Sequence, residues 1–356
     1  YVYMRQHVGY LMPEVHLEMR SLNYQADSQG RLSAELRKTD DVMRYLNEFR
    51  QGGSLRLSAS ALKTYKQCPM KFYLEYARRM RGSDEMVDYI QASEFGTLVH
   101  SVIQKLFEGY RNQVITASTF DHWLNPGNHE VDDIARRLVM EQRYPRVADM
   151  STVDPAAEAL LAVDLVARIA RANLKGERDL YCAEGQSFVF LDNEYKVNGV
   201  WDISDSLSVN FYMSIDRFDK LESGLYRFVD FKTGADDTVA SDVAGLLNRN
   251  STDKDGIFQL FTYAEAYKSM VDAEAHIVPV LHPMRQLSAG YGLGLLKVAG
   301  KEVTDYDSLR ETFRPLLVDL VSEIFDENVP IRQCERIASC NYCNFQSLCG
   351  RIPRDD

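Results

Sequence analysis

The feature that most constrains the fold is a change of hydrophobic period along the chain. Residues 94–110 repeat apolar side chains at three- and four-residue steps, which predicts an amphipathic helix with one buried face. After residue 185 the period becomes two, which predicts strands joined by short polar turns. These strands are expected at 185–191, 195–203, 207–217 and 224–232. Helices on both sides of a central group of strands indicate an α/β or α+β fold.

Weaker patterns complete the predicted organisation. Helices are also expected at 36–50, 131–142, 155–174, 256–271 and 304–326, and strands at 276–283 and 291–298. Residues 1–56 are expected to form a loosely attached arm with one helix, followed by a linker. One domain is then expected over 57–356, with a cysteine-rich tail at 330–356.

Length and composition bound the class of protein. A chain of 356 residues can bury the core of one large domain or of two closely packed domains. No stretch approaches the ~20 apolar residues of a membrane span, and the start lacks the features of a secretion signal, so we expect a cytoplasmic protein with no membrane partner. The chain does not begin with Met, which suggests a fragment of a longer polypeptide or a processed N-terminus.

The charge distribution argues against one class of nucleic-acid protein. A net charge of −11 disfavours a protein that coats nucleic acid nonspecifically, because neutralising phosphates requires Lys and Arg. It does not exclude a DNA enzyme, since basic residues can gather locally. The segment from Arg56 to Arg81 is locally basic, either as a solvated helix surface or as a nucleic-acid contact.

Two neighbouring predicted strands carry charged residues that suit metal-dependent chemistry. Because side chains alternate along a strand, Asp230 and Lys232 point to one side and Phe231 points into the core. A hairpin would bring Asp216, at the end of the preceding strand, beside Asp230. Two carboxylates on rigid strands suit Mg²⁺, and an ammonium can orient a metal-bound water or neutralise a phosphoryl transition state. The alternative interpretation of Asp230 and Lys232 is a surface ion pair.

Three further residues are candidates for the same site. His100 lies at the margin of the apolar face of its helix, and Gly96, one turn earlier, would let another element approach the imidazole. Gln259 and Tyr263 are four residues apart on a predicted helix and therefore neighbours on one face. The alternatives are a structural histidine and a tyrosine that belongs to the core.

Four segments together resemble the motifs of RecB-type nucleases in the PD-(D/E)XK superfamily. They are FGTLVH, SIDRFD, VDFKTG and FQLFTYAEAY, in this order, and the chain resembles the C-terminal nuclease domain of AddB-type helicase–nuclease subunits. The resemblance implies a restriction-endonuclease-like core with a central mixed β-sheet flanked by helices, helical insertions and a cysteine-cluster tail. It also implies hydrolysis of DNA with Mg²⁺ or Mn²⁺.

The same resemblance implies roles for particular residues. The metal ligands would be His100, Asp216, Asp230 and the backbone carbonyl of Phe231. The catalytic residues would be Asp216, Asp230, Lys232, Gln259 and Tyr263. The family often carries Gly two residues before the first Asp, where this chain has Ser214.

The cysteines indicate a second metal site. Cys340, Cys343 and Cys349 form a C-x2-C-x5-C pattern, and either Cys68 or Cys334 can supply a fourth thiolate on spacing alone. Four thiolates suit zinc or an iron–sulfur cluster. The resemblance implies that Cys68 joins the three tail cysteines to hold a [4Fe–4S] cluster. Cys182 is expected to be a buried free thiol.

These observations predict a metal-dependent deoxyribonuclease, with exonuclease action favoured over endonuclease action. The resemblance implies the setting, which is the nuclease module of a helicase–nuclease that acts on single-stranded DNA ends with a helicase subunit in double-strand break repair and recombination. One alternative is a non-catalytic scaffold that binds DNA ends. The other is a stand-alone exonuclease of the CRISPR-associated kind.

Overall fold

The strands of the protein form one large sheet and two small ones in a computed structural model, which describes residues 23–26, 32–80, 92–145, 147, 154–232, 237–283, 295–341 and 343–351. In chain order the strands are β1 (Asn23–Ala26), β2 (Leu32–Leu36), β3 (Gln113–Ile115), β4 (Phe188–Ser204), β5 (Leu207–Leu221), β6 (Tyr226–Lys232), β7 (Val239–Ala240), β8 (Ile277–Pro283), β9 (Lys297–Val298), β10 (Lys301–Glu302) and β11 (Ile331–Arg332). The large sheet has the order β3-β4-β5-β6-β8. The small sheets have the orders β1-β2-β11 and β10-β9-β7.

The large sheet is mixed, as expected. Strands β3 to β6 pair antiparallel, whereas β6 and β8 pair parallel. A parallel pair needs a crossover connection, and the helix Asp255–Met270 supplies it. Along β5, buried and partly exposed residues alternate, so its apolar side chains form one face of the sheet. This alternation is the period of two seen in the sequence.

Helices cover both faces of the sheet. In chain order they are α1 (Asp40–Asn47), α2 (Ala59–Gln67), α3 (Pro69–Phe72), α4 (Ala92–Phe107), α5 (Ala117–Leu124), α6 (Glu130–Arg143), α7 (Ala157–Tyr181), α8 (Asp255–Met270) and α9 (Asp307–Phe325). Helices α4 to α7 pack on one face around residues such as Val102, Trp123 and Val166. Helices α1 to α3, α8 and α9 pack on the other face. Residues 256–268 of α8 are all buried, so this helix lies at the centre of its layer.

The prediction of a turn at residues 192–194 is wrong, because β4 continues through these residues. The pairing of β4 with β5 shifts register between Phe190 and Asp192, which marks a β-bulge at Leu191. Glu194 then has φ +49°, a left-handed conformation that is uncommon for a residue other than glycine. A bulge interrupts the alternation of side chains without ending the strand, which explains why the sequence predicted two strands here.

Residues 40–56, which were expected to belong to a loosely attached arm, pack against the rest of the protein instead. Val42, Leu46 and Phe49 are buried in the same core as α8 and α9. Arg50 and Leu57 form backbone bridges to β5. This stretch is therefore part of the main body, and residues 1–22 and 27–31 lie outside the described residues.

The remaining predicted elements differ from the structure mainly at their ends. Of the strand expected at 291–298, residues 291–294 lie outside the described residues, Leu295 forms an isolated backbone bridge to Val280, and 297–298 form β9. The tail pairs β11 with β2 and continues as a short 3₁₀ helix at Ile337–Cys340. None of the described helices is long and apolar enough to cross a membrane.

Candidate metal and catalytic site

The candidate site lies where β5 and β6 separate. Their paired register ends with Arg217 opposite Val229. Beyond that point the Asp216 carboxylate accepts a hydrogen bond from the backbone N–H of Phe231 across 2.9 Å. Burial, and then the negative charge of Asp230, raises the pKa of Asp216 to about 8. The hairpin therefore brings the two predicted carboxylates close enough to repel each other.

Asp230 is held between an ammonium and an amide. Its Oδ2 lies 2.6 Å from Lys232 Nζ, and its Oδ1 accepts a hydrogen bond from Gln259 Nε2 across 2.8 Å. Lys232 Nζ also donates to Gln259 Oε1 across 3.2 Å. The Asp230 and Lys232 side chains are 4% and 19% exposed, so this pair is not a freely solvated surface ion pair.

Tyr263, one turn after Gln259 on α8, contacts the Gln259 amide. Its hydroxyl lies 3.4 Å from Gln259 Nε2, as the four-residue spacing predicted. Burial, followed by the charges of Asp230 and Asp216, raises the pKa of the Tyr263 phenol. The hydroxyl is therefore protonated at neutral pH and remains a neutral hydrogen-bonding group.

His100 faces the same site from α4. Its ring lies 4.9 Å from the ring of Phe231, and within the described structure its buried Nε2 has no hydrogen-bond partner. Burial lowers the pKa of His100, although the nearby Glu194 and Asp230 oppose this shift. A neutral imidazole with an unpartnered nitrogen is the form that binds a metal ion.

One carboxylate at the site was not predicted from the sequence. Glu194, His100 and Asp216 each place a possible ligand atom within 4.8 Å of the others. The sequence placed Glu194 in a turn, and its signal was an acidic residue within a polar interruption between two apolar alternations. The unpartnered imidazole nitrogen and two carboxylates fit a divalent cation, whose charge would offset theirs.

The locally basic segment 56–81 contributes one lysine to this site. Lys63 Nζ donates to Gln259 Oε1 across 2.6 Å, so two ammonium groups share that oxygen. Lys66, in contrast, is buried, forms an ion pair with Asp255 at 2.6 Å and donates to the backbone. Lys63 and Lys66 therefore bond to other residues of the protein, and the interpretation of this segment as a solvated helix surface does not hold for them.

The cysteine pocket lies at the C-terminal end of α2, away from the carboxylates. It is lined by all four predicted ligands and by the competing thiol: Cys68, Cys334, Cys340, Cys343 and Cys349. Spacing alone left Cys68 and Cys334 as alternatives, and the structure brings both into the same pocket.

Two contacts describe the thiols in this pocket. Cys68 caps α3, where its Sγ accepts the backbone N–H of Lys71 across 3.4 Å. A hydrogen bond from Cys334 lowers the pKa of Cys68 to about 6, against the effect of burial. Cys334 Sγ lies 3.4 Å from Cys340 Sγ.

Cys182 lies outside this pocket. It is buried in the layer of α4 to α7, where burial raises the pKa of its thiol to about 11.

This fold and site define a class. The chain belongs to the PD-(D/E)XK nuclease superfamily, whose family model matches residues 56–350. Family membership, expected from the four motifs, is confirmed. The superfamily uses divalent metal ions, and the donor atoms around His100 and Asp216 fit such an ion.

Particular relatives carry a more specific name, that of the B-type subunit of an ATP-dependent helicase/deoxyribonuclease. The chain is similar to this protein from Clostridium tetani, with 21% identity over 84% of the chain and 30% of the relative. It is 22% identical to the protein of the same name from Ruminiclostridium cellulolyticum, over 84% of the chain and 30% of that protein. A Clostridium novyi protein of this name is 24% identical over 64% of the chain and 19% of the relative. The chain thus spans less than a third of these relatives.

Proposed function

We propose that this chain is the nuclease module of a helicase–nuclease and hydrolyses DNA phosphodiester bonds. The observation that carries the proposal is the position of Asp230 between Lys232 and Gln259, with Asp216 across the hairpin. Membership of a nuclease superfamily makes this arrangement a catalytic candidate in place of a structural ion pair.

The metal of the site is Mg²⁺ or Mn²⁺ in this proposal. The residues that would hold it are His100, Asp216, Asp230 and the backbone carbonyl of Phe231. When bound, the cation supplies a water of lowered pKa and stabilises negative charge on the phosphate.

The protein's own residues orient the reacting groups. Lys232 Nζ is held by Asp230 and Gln259, so its ammonium is in place to donate to a phosphate oxygen as charge develops there. Gln259 uses both ends of its amide, since Nε2 donates to Asp230 and Oε1 accepts from Lys232. The buried Tyr263 hydroxyl accepts a hydrogen bond from Gln259 Nε2 and helps to hold this amide in place.

The substrate we propose is a single-stranded DNA end, cleaved as an exonuclease in double-strand break repair and recombination. The relatives' name, which combines a helicase with a deoxyribonuclease, supports both a DNA substrate and a helicase partner. We place this activity in the cytoplasm.

The cysteine pocket holds a [4Fe–4S] cluster in this proposal, with Cys68, Cys340, Cys343 and Cys349 as ligands. The convergence of these four thiols on one pocket supports a site with four thiolate ligands, and the resemblance favours an iron–sulfur cluster over zinc. Joining Cys68 to the tail closes a very long loop around the nuclease core, so we assign the cluster a structural role.

The function is tested by degradation of end-labelled single- and double-stranded DNA in the presence of Mg²⁺, Mn²⁺ or EDTA. We expect the wild-type protein to cleave only with metal, and Asp216→Asn to be inactive. Asp192→Asn is the matched control, because it removes a carboxylate of an exposed ion pair on β4. A wild-type protein that binds DNA ends without cleaving them in either metal would support a scaffold instead.

A further inference from the structure

Glu194 enters the site because of an unusual backbone conformation. In the ladder between β4 and β5, Asn193 pairs with Arg217 and Tyr195 pairs with Ile215, which places Glu194 across from Asp216. Its φ of +49° lies in the left-handed region that favours glycine. Such a conformation persists where the surrounding structure holds it in place, and it turns the Glu194 carboxylate toward His100 and Asp216.

Both oxygens of Glu194 are held by neutral donors. Ser214 Oγ donates to Oε2 across 2.9 Å, and Gln104 Nε2 donates to Oε1 across 2.9 Å. Gln104 is one helical turn after His100 on α4, so one helix positions both the imidazole and this carboxylate. Hydroxyl and amide donors orient the carboxylate without neutralising it. Each oxygen also keeps a second lone pair for another partner.

The three carboxylates of the site carry more negative charge than the ammonium of Lys232 can offset. Lys232 lies 2.6 Å from Asp230, on the β6 side of the site. On the other side, the ligand atoms of His100, Asp216 and Glu194 lie within 4.8 Å of one another, and His100 Nε2 is buried without a partner in the described structure. Two carboxylates that are not fully buried, beside an imidazole nitrogen with no described partner, form a donor set for a cation.

We propose that Glu194 is a direct ligand of the divalent cation held by His100 and Asp216. The side-chain donors on this side of the cation would then come from α4, β4 and β5. The inference rests on the proposed metal-dependent function and extends it, because the set implied by the motifs contains no residue of β4. Ser214 is the positioning residue that fixes the Glu194 carboxylate through its hydroxyl.

The test is a titration of the protein with Mn²⁺, read from the loss of the free-ion signal in electron paramagnetic resonance. The variants are Glu194→Gln, Ser214→Ala and Asp192→Asn. Glu194→Gln keeps the size of the side chain and removes the charge, and we expect it to bind Mn²⁺ about tenfold more weakly or worse. Ser214→Ala should have a smaller effect. Asp192→Asn removes the same charge from the same strand and should bind like the wild type.

Thermal unfolding distinguishes a ligand from a structural residue. Without metal, Glu194→Gln should be at least as stable as the wild type, because it removes repulsion with Asp216. It should lose most of the rise in Tm that Mn²⁺ gives the wild type. A variant that is less stable without metal and keeps that rise would overturn the inference.

The role of Glu194 and the proposed function fail on different results. If Glu194→Gln binds Mn²⁺ like the wild type while Asp216→Asn binds weakly, Glu194 is not a ligand and the proposed function stands. If the wild-type protein itself binds no Mn²⁺, both the inference and the metal-dependent function are overturned.

Discussion

The ammonium of Lys63 donates a hydrogen bond to the side-chain oxygen of Gln259 across 2.6 Å. Lys63 belongs to α2, the helix that ends next to Cys68, whereas Gln259 belongs to α8 and contacts both Asp230 and Lys232. The cysteine pocket and the carboxylate site are thus joined by one short helix. Because of this contact, changes at the cysteine pocket are expected to reach the catalytic groups.

Replacement of Lys63 by Met should slow DNA cleavage without removing the metal cluster. The change deletes a hydrogen bond from a charged donor and leaves Gln259 less constrained, which we expect to reduce the rate about tenfold. The measurement is the cleavage rate at saturating DNA, with the iron content determined in parallel. Lys105→Met is the control, because Lys105 forms an exposed ion pair with Glu108 on a different helix. Equal rates for Lys63→Met and the control would contradict the role of this contact.

The cluster itself is tested by metal analysis of cysteine variants. Anaerobically purified wild-type protein should contain about four iron and four sulfide per chain. Cys68→Ser should lose them and unfold at a lower temperature, whereas Cys182→Ser should retain them. Cys334→Ser decides between the two possible fourth ligands, and we expect it to keep the cluster. A colourless protein with one zinc would show that the iron–sulfur assignment is wrong.

A buried ionic network between the sheet and α7 should be sensitive to the loss of one partner. Arg217 contacts Glu177 at 2.6 Å and Asp219 at 3.1 Å, and all three side chains are fully buried. Arg217→Met would leave two carboxylates buried with less compensation, and we expect a loss of about 3–5 kcal/mol in the free energy of unfolding. Chemical denaturation measures it.

An exposed ion pair provides the comparison for that experiment. Arg111 contacts Asp192 at 2.6 Å, but its own side chain is 62% exposed. Arg111→Met should cost about 0–1 kcal/mol, since exposed pairs are screened by water and salt. If the two variants lose similar amounts, the buried network does not carry the stability assigned to it.

His282 gives the fold a pH dependence on the acid side. Burial, followed by the positive charges of Arg217 and Arg227, lowers the pKa of His282 to about 3. In the unfolded chain the imidazole takes up a proton below about pH 6.5, so its contribution to stability is lost as the pH falls from about 6.5 toward 3.

The variant His282→Gln should remove that part of the pH dependence. Its Tm should fall less steeply than that of the wild type between about pH 6.5 and pH 4, even though the substitution lowers Tm at neutral pH. His122→Gln, at an exposed histidine, should keep the wild-type slope. Parallel curves for the wild type and His282→Gln would show that His282 titrates normally in the folded protein.

The parts of the fold that were predictable are those with a regular hydrophobic period. The helix over 94–110 and the strand that carries Asp230 and Lys232 follow directly from spacings of three to four and of two. The same alternation correctly placed Phe231 in the core and the two charged residues on one side.

The parts that were missed depend on contacts between distant residues. The bulge at Leu191 interrupts the alternation of side chains, so the sequence around Glu194 looks like a turn. The local sequence therefore does not show that Glu194 lies across from Asp216. Lys66 looks like a solvated basic residue, yet its partner Asp255 is far along the chain. Residues 40–56 look polar and linker-like because their few apolar side chains are spaced for a single short helix. This helix, α1, packs on α9, which lies far along the chain, so the local sequence does not indicate the contact.

The catalytic role of Lys232 is tested most directly by cleavage of end-labelled single-stranded DNA by the Lys232→Met protein. Its Mn²⁺ binding and DNA binding should first be shown to match the wild type, and Lys220→Met on β5 serves as the control. We predict that Lys232→Met binds metal and DNA normally but cleaves about a hundredfold more slowly or worse, because the ammonium acts on the developing charge of the phosphate. Cleavage at the wild-type rate by this variant would contradict the assignment of the catalytic site.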